Sequence, residues 1–161
     1  MSGLVRDPIT AYIALGANLG DARAAVLRAM RGIAALPATT LVRRSSLYRT
    51  APVEAMGPDY INAVVEVATG LHPLELLLEL QQLEQAAGRE RPYRNASRTL
   101  DLDILLYGEA SMDSPTLVIP HPRMMARAFV LVPLAEIAPL RVSSDQLRAV
   151  SDQAVKLVTD C

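Results

Sequence analysis

Two kinds of hydrophobic spacing alternate along the chain. Thr10 to Leu15 (TAYIAL) is rich in β-formers and is closed by Gly16, which predicts a first strand. After the turn GANLGD, Asp21 stands where a helix cap belongs, and Val26, Met30, Ile33 and Leu36 follow at helical spacing until Pro37 stops them. Thr39 to Val53 reads as a second strand running into a loop. In Asp59 to Gly70, Ile61, Ala63, Val65 and Val67 alternate with Tyr60, Asn62, Val64 and Glu66, so this third strand has two distinct faces. His72 and Pro73 open a second helix with an apolar stripe at Leu76, Leu80, Leu83 and Ala87, closed by Gly88. A fourth strand lies within RTLDLDILLYG, Arg98 to Gly108, where Leu100, Leu102 and Ile104 take one face and Asp101 and Asp103 the other. A short hairpin around Gly108 to Ser114 leads to LVIP, and helical pieces follow over 129–139 and 144–158.

Strand, helix, strand, strand, helix, strand is the split order of a ferredoxin-like βαββαβ sandwich. The expected class is therefore α+β, with the helices on one face of an antiparallel sheet and C-terminal helical and hairpin additions. No internal repeat or linker divides the chain, so residues 1–161 are read as a single domain.

Composition narrows the functions open to this fold. Sixteen basic and seventeen acidic residues give a net charge of −1, which lacks the overall basic field of a nucleic-acid binder. Any anion site must be local. No run approaches the 18 or so apolar residues of a membrane span, and the lone Cys161 allows no internal disulfide. The expectation is a cytoplasmic monomer that binds small molecules, with neither nucleic acid nor membrane as partner. Gly16 and Gly20 match neither the dinucleotide fingerprint nor the P-loop.

The strongest chemical signal is the acid pair. Asp is disfavoured in strands, yet Asp101 and Asp103 share a face about 6–7 Å apart at the backbone, close enough to hold hard cations between them. Arg89, Arg91, Arg94 and Arg98 precede the pair, and His121 and Arg127 follow it. Acids with a cation, ringed by guanidinium groups, suit a polyphosphate carrying its metal. Tyr60 and Asn62 offer a ring and a planar amide on one strand face, suited to a flat heterocycle. The plainer alternatives are a solvated strand face, a solvated charge run and an exposed strand end.

Taken together, YIALGANLGD, SSLYRTAPV, PDYINA, LEQAAGR, RTLDLDILLYG and IPHPRMMARAFVLVPLAEIAP resemble the 6-hydroxymethyl-7,8-dihydropterin pyrophosphokinase family of folate biosynthesis, collinearly from Tyr12 to Pro139. The resemblance implies transfer of the terminal pyrophosphoryl group of ATP to the hydroxymethyl group of 6-hydroxymethyl-7,8-dihydropterin, releasing AMP. It implies that Asp101 and Asp103 hold two magnesium ions, with Asp101 also facing the pterin. Tyr60 and Phe129 would sandwich the pterin ring, while Asn62, Thr50 and the backbone near Val53 bond its polar edge. Arg89, Arg98, His121 and Arg127 would contact the triphosphate, Gln81, Glu84 and Ile104 would lie near the nucleotide, and Arg91 would be a loop arginine acting in catalysis. Two departures stand out. Asn95, Ala96 and Ser97 replace a proline-bearing run that members often show, and Thr50, Ala51, Pro52 replaces the commoner double proline. The rival readings are another magnesium-dependent nucleotidyl or phosphoryl-transfer enzyme and a non-catalytic ferredoxin-like binding module.

Overall fold

A computed structural model describes residues 7–18, 20–51, 58–88 and 100–158. Its elements are β1 (Ile9–Ala17), α1 (Ala22–Ala34), β2 (Thr39–Arg44), β3 (Tyr48–Thr50), β4 (Tyr60–Thr69), α2 (Pro73–Gly88), β5 (Asp101–Tyr107), β6 (Met112–Asp113), β7 (Val118–Ile119), α3 (Ala128–Ile137), α4 (Ser144–Ala149) and β8 (Lys156–Leu157). The main sheet runs β5-β1-β4-β3-β8, with β2 also on β4, and the pairings β1–β4, β1–β5, β2–β4, β3–β4 and β3–β8 are all antiparallel.

Each early element forms for the reason its sequence suggests. Asp21 caps α1 by accepting the Ala24 N–H at 3.0 Å, and Val26, Met30 and Ile33 are buried along one stripe. Before α2, the Glu75 carboxylate accepts the His72 N–H at 2.7 Å, and Leu76 and Leu80 are fully buried. These two stripes pack with Ile13, Leu15, Ile61, Ala63, Val65, Val67, Leu100, Leu102 and Ile104 into one core. The apolar faces of β1, β4 and β5 therefore all turn toward α1 and α2.

A second core lies across the sheet. There Tyr12, Val64, Leu105 and Leu106 meet Met124, Ala128, Leu131, Leu134 and Ile137 of α3 and the turn before it. The expectation that the helices occupy one face thus holds for α1 and α2 only. A register shift between Tyr12 and Ile13 lets Leu105 and Leu106 both face α3, as a β-bulge allows. Because α3 covers Tyr12 and Val64, the opposite end of this face, at Gly16 and Asn62, is left open to a cavity.

Three local expectations change. The strand read over 39–53 is two strands, because Ser45 Oγ accepts the Val64 N–H at 2.9 Å and a side chain takes the place of a regular ladder partner between β2 and β3. The hairpin falls at β6–β7, with Gly108 (φ 53°) as the turn that leads into it. Helix over 144–158 ends at Ala149. Val150 is buried there, and Lys156 and Leu157 form β8 on the edge of β3.

Leu80 is buried between α2 and the sheet. Leu80→Ala should cost about 2–5 kcal/mol of unfolding free energy in urea titration, the range for cavity formation at a closed site.

Candidate active site

The cavity at the open end of the sheet has a volume of about 860 Å³. Its floor is β1. Gly16 is paired with Asp101 on one side and Asn62 on the other, and Ala14 is paired with Asp103 and Val64. Small residues on the middle strand thus separate the acids of β5 from the amide of β4. A Cβ on Gly16 would come within 3.1 Å of Asn62 Oδ1, so a larger side chain here would push against the amide.

One wall is polar and flat. Asn62 is 5% exposed and Thr50 9%, and the Asn62 Nδ2–H donates to Thr50 Oγ1 at 2.9 Å. Tyr60, 36% exposed, stands beside them on the same face of β4. The opposite wall comes from the turn before α3 and from the first residues of that helix. There the Arg127 guanidinium lies 5.4 Å from the centroid of the Phe129 ring, within cation–π range. His121 and Val130 complete that side, with Gln153, Ala154 and Val155 beyond them.

The electrostatics of His121 suit an anion. Burial lowers its pKa below the ordinary 6.5, Arg127 and Arg123 lower it further, and Asp101 opposes them. Nδ1 accepts the Arg123 N–H at 3.1 Å, so the neutral ring carries its proton on Nε2 as a donor.

Behind this wall, Glu136 on α3 accepts the Ser46 N–H at 3.0 Å and the Tyr48 hydroxyl at 2.6 Å through Oε1, and the Ser46 hydroxyl at 2.8 Å through Oε2. Burial favours its neutral form, but the bonds from Tyr48 and Ser46 outweigh that and hold its pKa low. Burial first, and then the bond to Glu136, raise the pKa of Tyr48. These bonds pin α3 to the strand that ends in Thr50.

Of the residues singled out in the sequence, Thr50, Tyr60, Asn62, Asp101, Asp103, His121, Arg127 and Phe129 meet at this one cavity. Gln81, Glu84 and Ile104 do not line it. Gln81 is exposed on α2, and the Ile104 side chain is buried in the helix-side core. Glu84 accepts the Leu102 N–H at 2.7 Å and so holds the outer edge of β5. Val53, Arg89, Arg91 and Arg98 lie outside the described residues, as do Pro52 and the Asn95–Ser97 departure. The floor residues Ala14 and Gly16 were not among those singled out in the sequence, although their alternation with Ile13 and Leu15 is itself a signal. Gln153 was not among them either, and no local pattern marks it.

The profile of the family described as 7,8-dihydro-6-hydroxymethylpterin-pyrophosphokinase (HPPK) matches residues 12–139. The chain belongs to the HPPK family. A Haemophilus influenzae relative named 2-amino-4-hydroxy-6-hydroxymethyldihydropteridine pyrophosphokinase is 50% identical over 131 residues, 81% of this chain and 82% of its own. Relatives of the same name from Pseudomonas aeruginosa and Bacillus subtilis are 48% and 42% identical, covering 80% and 89% of this chain and 80% and 86% of their own. Among solved structures, Plasmodium falciparum HPPK-DHPS with pteroate superposes with a TM-score of 0.64 at 14% identity, over 80% of this chain and 38% of that one. A triple mutant of the same protein gives 0.69 at 13% identity over 94% and 45%. This chain spans less than half of those longer proteins, and the likeness to them is one of fold. No described helix is long and apolar enough to cross a membrane.

The depressed pKa of His121 has a definite sign. Its neutral form supports the fold fully above pH 6.5, and that support is lost as pH falls through the lowered folded value. Histidine resonances followed by NMR should place the His121 midpoint below 6.5 in the free protein and move it upward when an ATP analogue binds.

Proposed function

We propose that this cavity carries out the HPPK reaction with the acids of β5 and the rings of β4 and α3 facing one another across β1. The activity is transfer of the pyrophosphoryl group of ATP to the hydroxymethyl group of 6-hydroxymethyl-7,8-dihydropterin, giving AMP and the pterin diphosphate. The observation that carries the reading is the sharing of one cavity by Asp101 and Asp103 with Tyr60, Asn62 and Phe129.

The donor set fits magnesium. Among the described residues no group of three or more His, Cys, Asp or Glu could hold a metal, so a closed protein cage is absent there. Two carboxylates that leave the remaining positions to phosphate oxygens and water are how magnesium is commonly held at nucleotide sites. Asp101 and Asp103 would hold it, as two ions on this reading. When bound, it would supply charge neutralisation on the phosphate oxygens during transfer.

The chain's own groups do the rest. His121 offers its Nε2–H to a phosphate oxygen without bringing a full charge. Arg127 brings that charge, and its stacking on Phe129 limits its freedom. Tyr60 and Phe129 would clasp the pterin, and Thr50 and Asn62, already bonded to each other, present a preset polar edge to it. Val53 would add backbone contacts to that edge. Arg89, Arg91 and Arg98 would close on the triphosphate from the segment between α2 and β5. In an antiparallel ladder the main-chain groups of alternate residues point outward, so Ile104 shares the outer edge of β5 with Leu102, whose N–H reaches Glu84. That edge, near Gln81 and Glu84, is where the adenine end of ATP would run.

The strand order β5-β1-β4-β2/β3 supports a ferredoxin-like description of the described residues up to Tyr107 as part of a single domain. The chain would act on its two small substrates as a monomer in the cytoplasm.

Incubation with ATP, magnesium and the reduced hydroxymethylpterin should release AMP and the pterin diphosphate; ADP or free phosphate would point to another phosphoryl transferase. Asp101→Ala and Asp103→Ala should each lower kcat about a thousandfold or more with the fold retained by circular dichroism. A near-normal rate in either variant removes the metal assignment. Phe129→Ala should weaken pterin binding in calorimetry by about 10- to 100-fold, as loss of a stacking ring does, while an ATP analogue binds much as before. The reverse pattern would invert the two halves of the site.

A further inference from the structure

We infer that Gln153 is a positioning residue for this reaction, fixing the turn that presents Arg127 and Phe129 to the cavity. The inference rests on the reading above of Arg127 as a phosphate contact and Phe129 as a pterin contact.

The first N–H groups of any helix have no partner within it, and a short polar side chain at the cap commonly satisfies one of them. Arg127 occupies the cap position of α3, in extended backbone at φ −126° and ψ 111°, and makes no cap bond with its side chain. That side chain lies over Phe129 instead. Capping falls to a residue far along the chain. Gln153 Oε1 accepts the N–H of Ala128, the first residue of α3, at 2.9 Å, and Gln153 Nε2–H donates to the carbonyl of Ala126 at 2.9 Å. One planar amide thus bonds to the residues on both sides of Arg127. Arg127 itself is held through its backbone, with its N–H donating to the Met124 carbonyl at 3.3 Å and its carbonyl accepting the Val130 and Leu131 N–H groups at 3.1 and 3.0 Å, and the two bonds from one planar amide fix the peptide groups on either side of it.

The same segment is anchored at its other end. Three residues beyond Gln153, β8 pairs Lys156 with Arg49 and Leu157 with Tyr48, immediately before Thr50. The stretch 153–157 therefore links the turn carrying Arg127 and Phe129 to the strand carrying Thr50, and Gln153 itself borders the cavity between them. Glutamine suits both bonds at once. A glutamate ionised at neutral pH accepts but cannot donate, an asparagine is one methylene shorter, and a methionine does neither.

Steady-state AMP release by Gln153→Met, compared with Arg127→Ala and Phe129→Ala, tests the inference. Gln153→Met keeps length and bulk, and should raise KM for both ATP and the pterin about tenfold, the scale of one or two lost hydrogen bonds, while kcat changes less and Tm stays within a few degrees. Gln153→Glu, which keeps the acceptor for Ala128 but sets a carboxylate oxygen against the Ala126 carbonyl, should also raise the pterin KM. A merely structural glutamine would lower Tm and apparent kcat together with both KM values unchanged, and that result overturns the inference. If Arg127→Ala and Phe129→Ala raise KM and Gln153→Met does not, the role of Gln153 falls alone; if all three are silent, the reading of the site falls with it. Hydrogen exchange in the unaltered protein gives a second measure that needs no variant. The Ala128 amide should exchange slowly, and exchange as fast as an open loop amide would overturn the clamp.

Discussion

The register of β1 between its two neighbours is the constraint on which the site depends. Gly16 lies opposite Asp101 on one side and Asn62 on the other, and the two-residue period of a strand sends everything at these positions to one face. A slip of one residue between β5 and β1 would turn the carboxylates into the core under α1 and α2 and bring Leu102 and Ile104 out into the cavity. Burying two carboxylates in an apolar core is far more costly than exposing two aliphatic side chains, so hydrophobic burial and electrostatics enforce the same pairing. The positions that face the cavity are thus held by residues on the other side of the sheet: Ile13, Leu15, Leu76, Leu80 and the rest of the helix-side core.

Around this rigid centre, polar side chains complete backbone ladders where the sheet or a helix runs out of partners. Glu84 serves the outer edge of β5, Ser45 serves β4 at the break between β2 and β3, and Glu136 ties α3 to the segment around Tyr48. A buried or half-buried backbone N–H without a partner is costly, and each of these groups removes one such cost while fixing the angle at which an element enters the cavity. Packing fixes the floor, and hydrogen bonds fix the rim.

How much of this could be read from the chain follows from the range of the forces involved. The faces of β4 and β5 were legible because strand alternation is local: Ile61, Ala63, Val65 and Val67 declare a core face, and Asp101 and Asp103 declare the opposite one. The stripes of α1 and α2, the Asp21 cap and the gathering of Tyr60, Asn62, His121, Arg127 and Phe129 followed from short-range pattern and family motifs. The break at Ser45 was not legible, because it depends on a bond to Val64 nineteen residues away. Nor was β8, whose residues carry helix-compatible spacing and are drawn to the exposed edge of β3 only after the sheet exists. Covering of the second sheet face by α3 was missed for the same reason, since the helix is apolar nearly all round and its sequence alone does not say which surface it will meet.

The cavity draws its parts from the whole length of the chain: floor near residue 16, polar edge near 50 and 62, acids near 101, rings and cations near 121–129, and a rim segment at 153–155. Synthesis delivers these parts in that order, N-terminal end first. The central strands and their carboxylates can pair once β5 has left the ribosome, while the wall bearing Arg127 and Phe129 must wait for the stretch that joins it to β3. A half-made chain would therefore hold the acids in place beside an unfinished cavity, whose rim would close only when β8 pairs with β3.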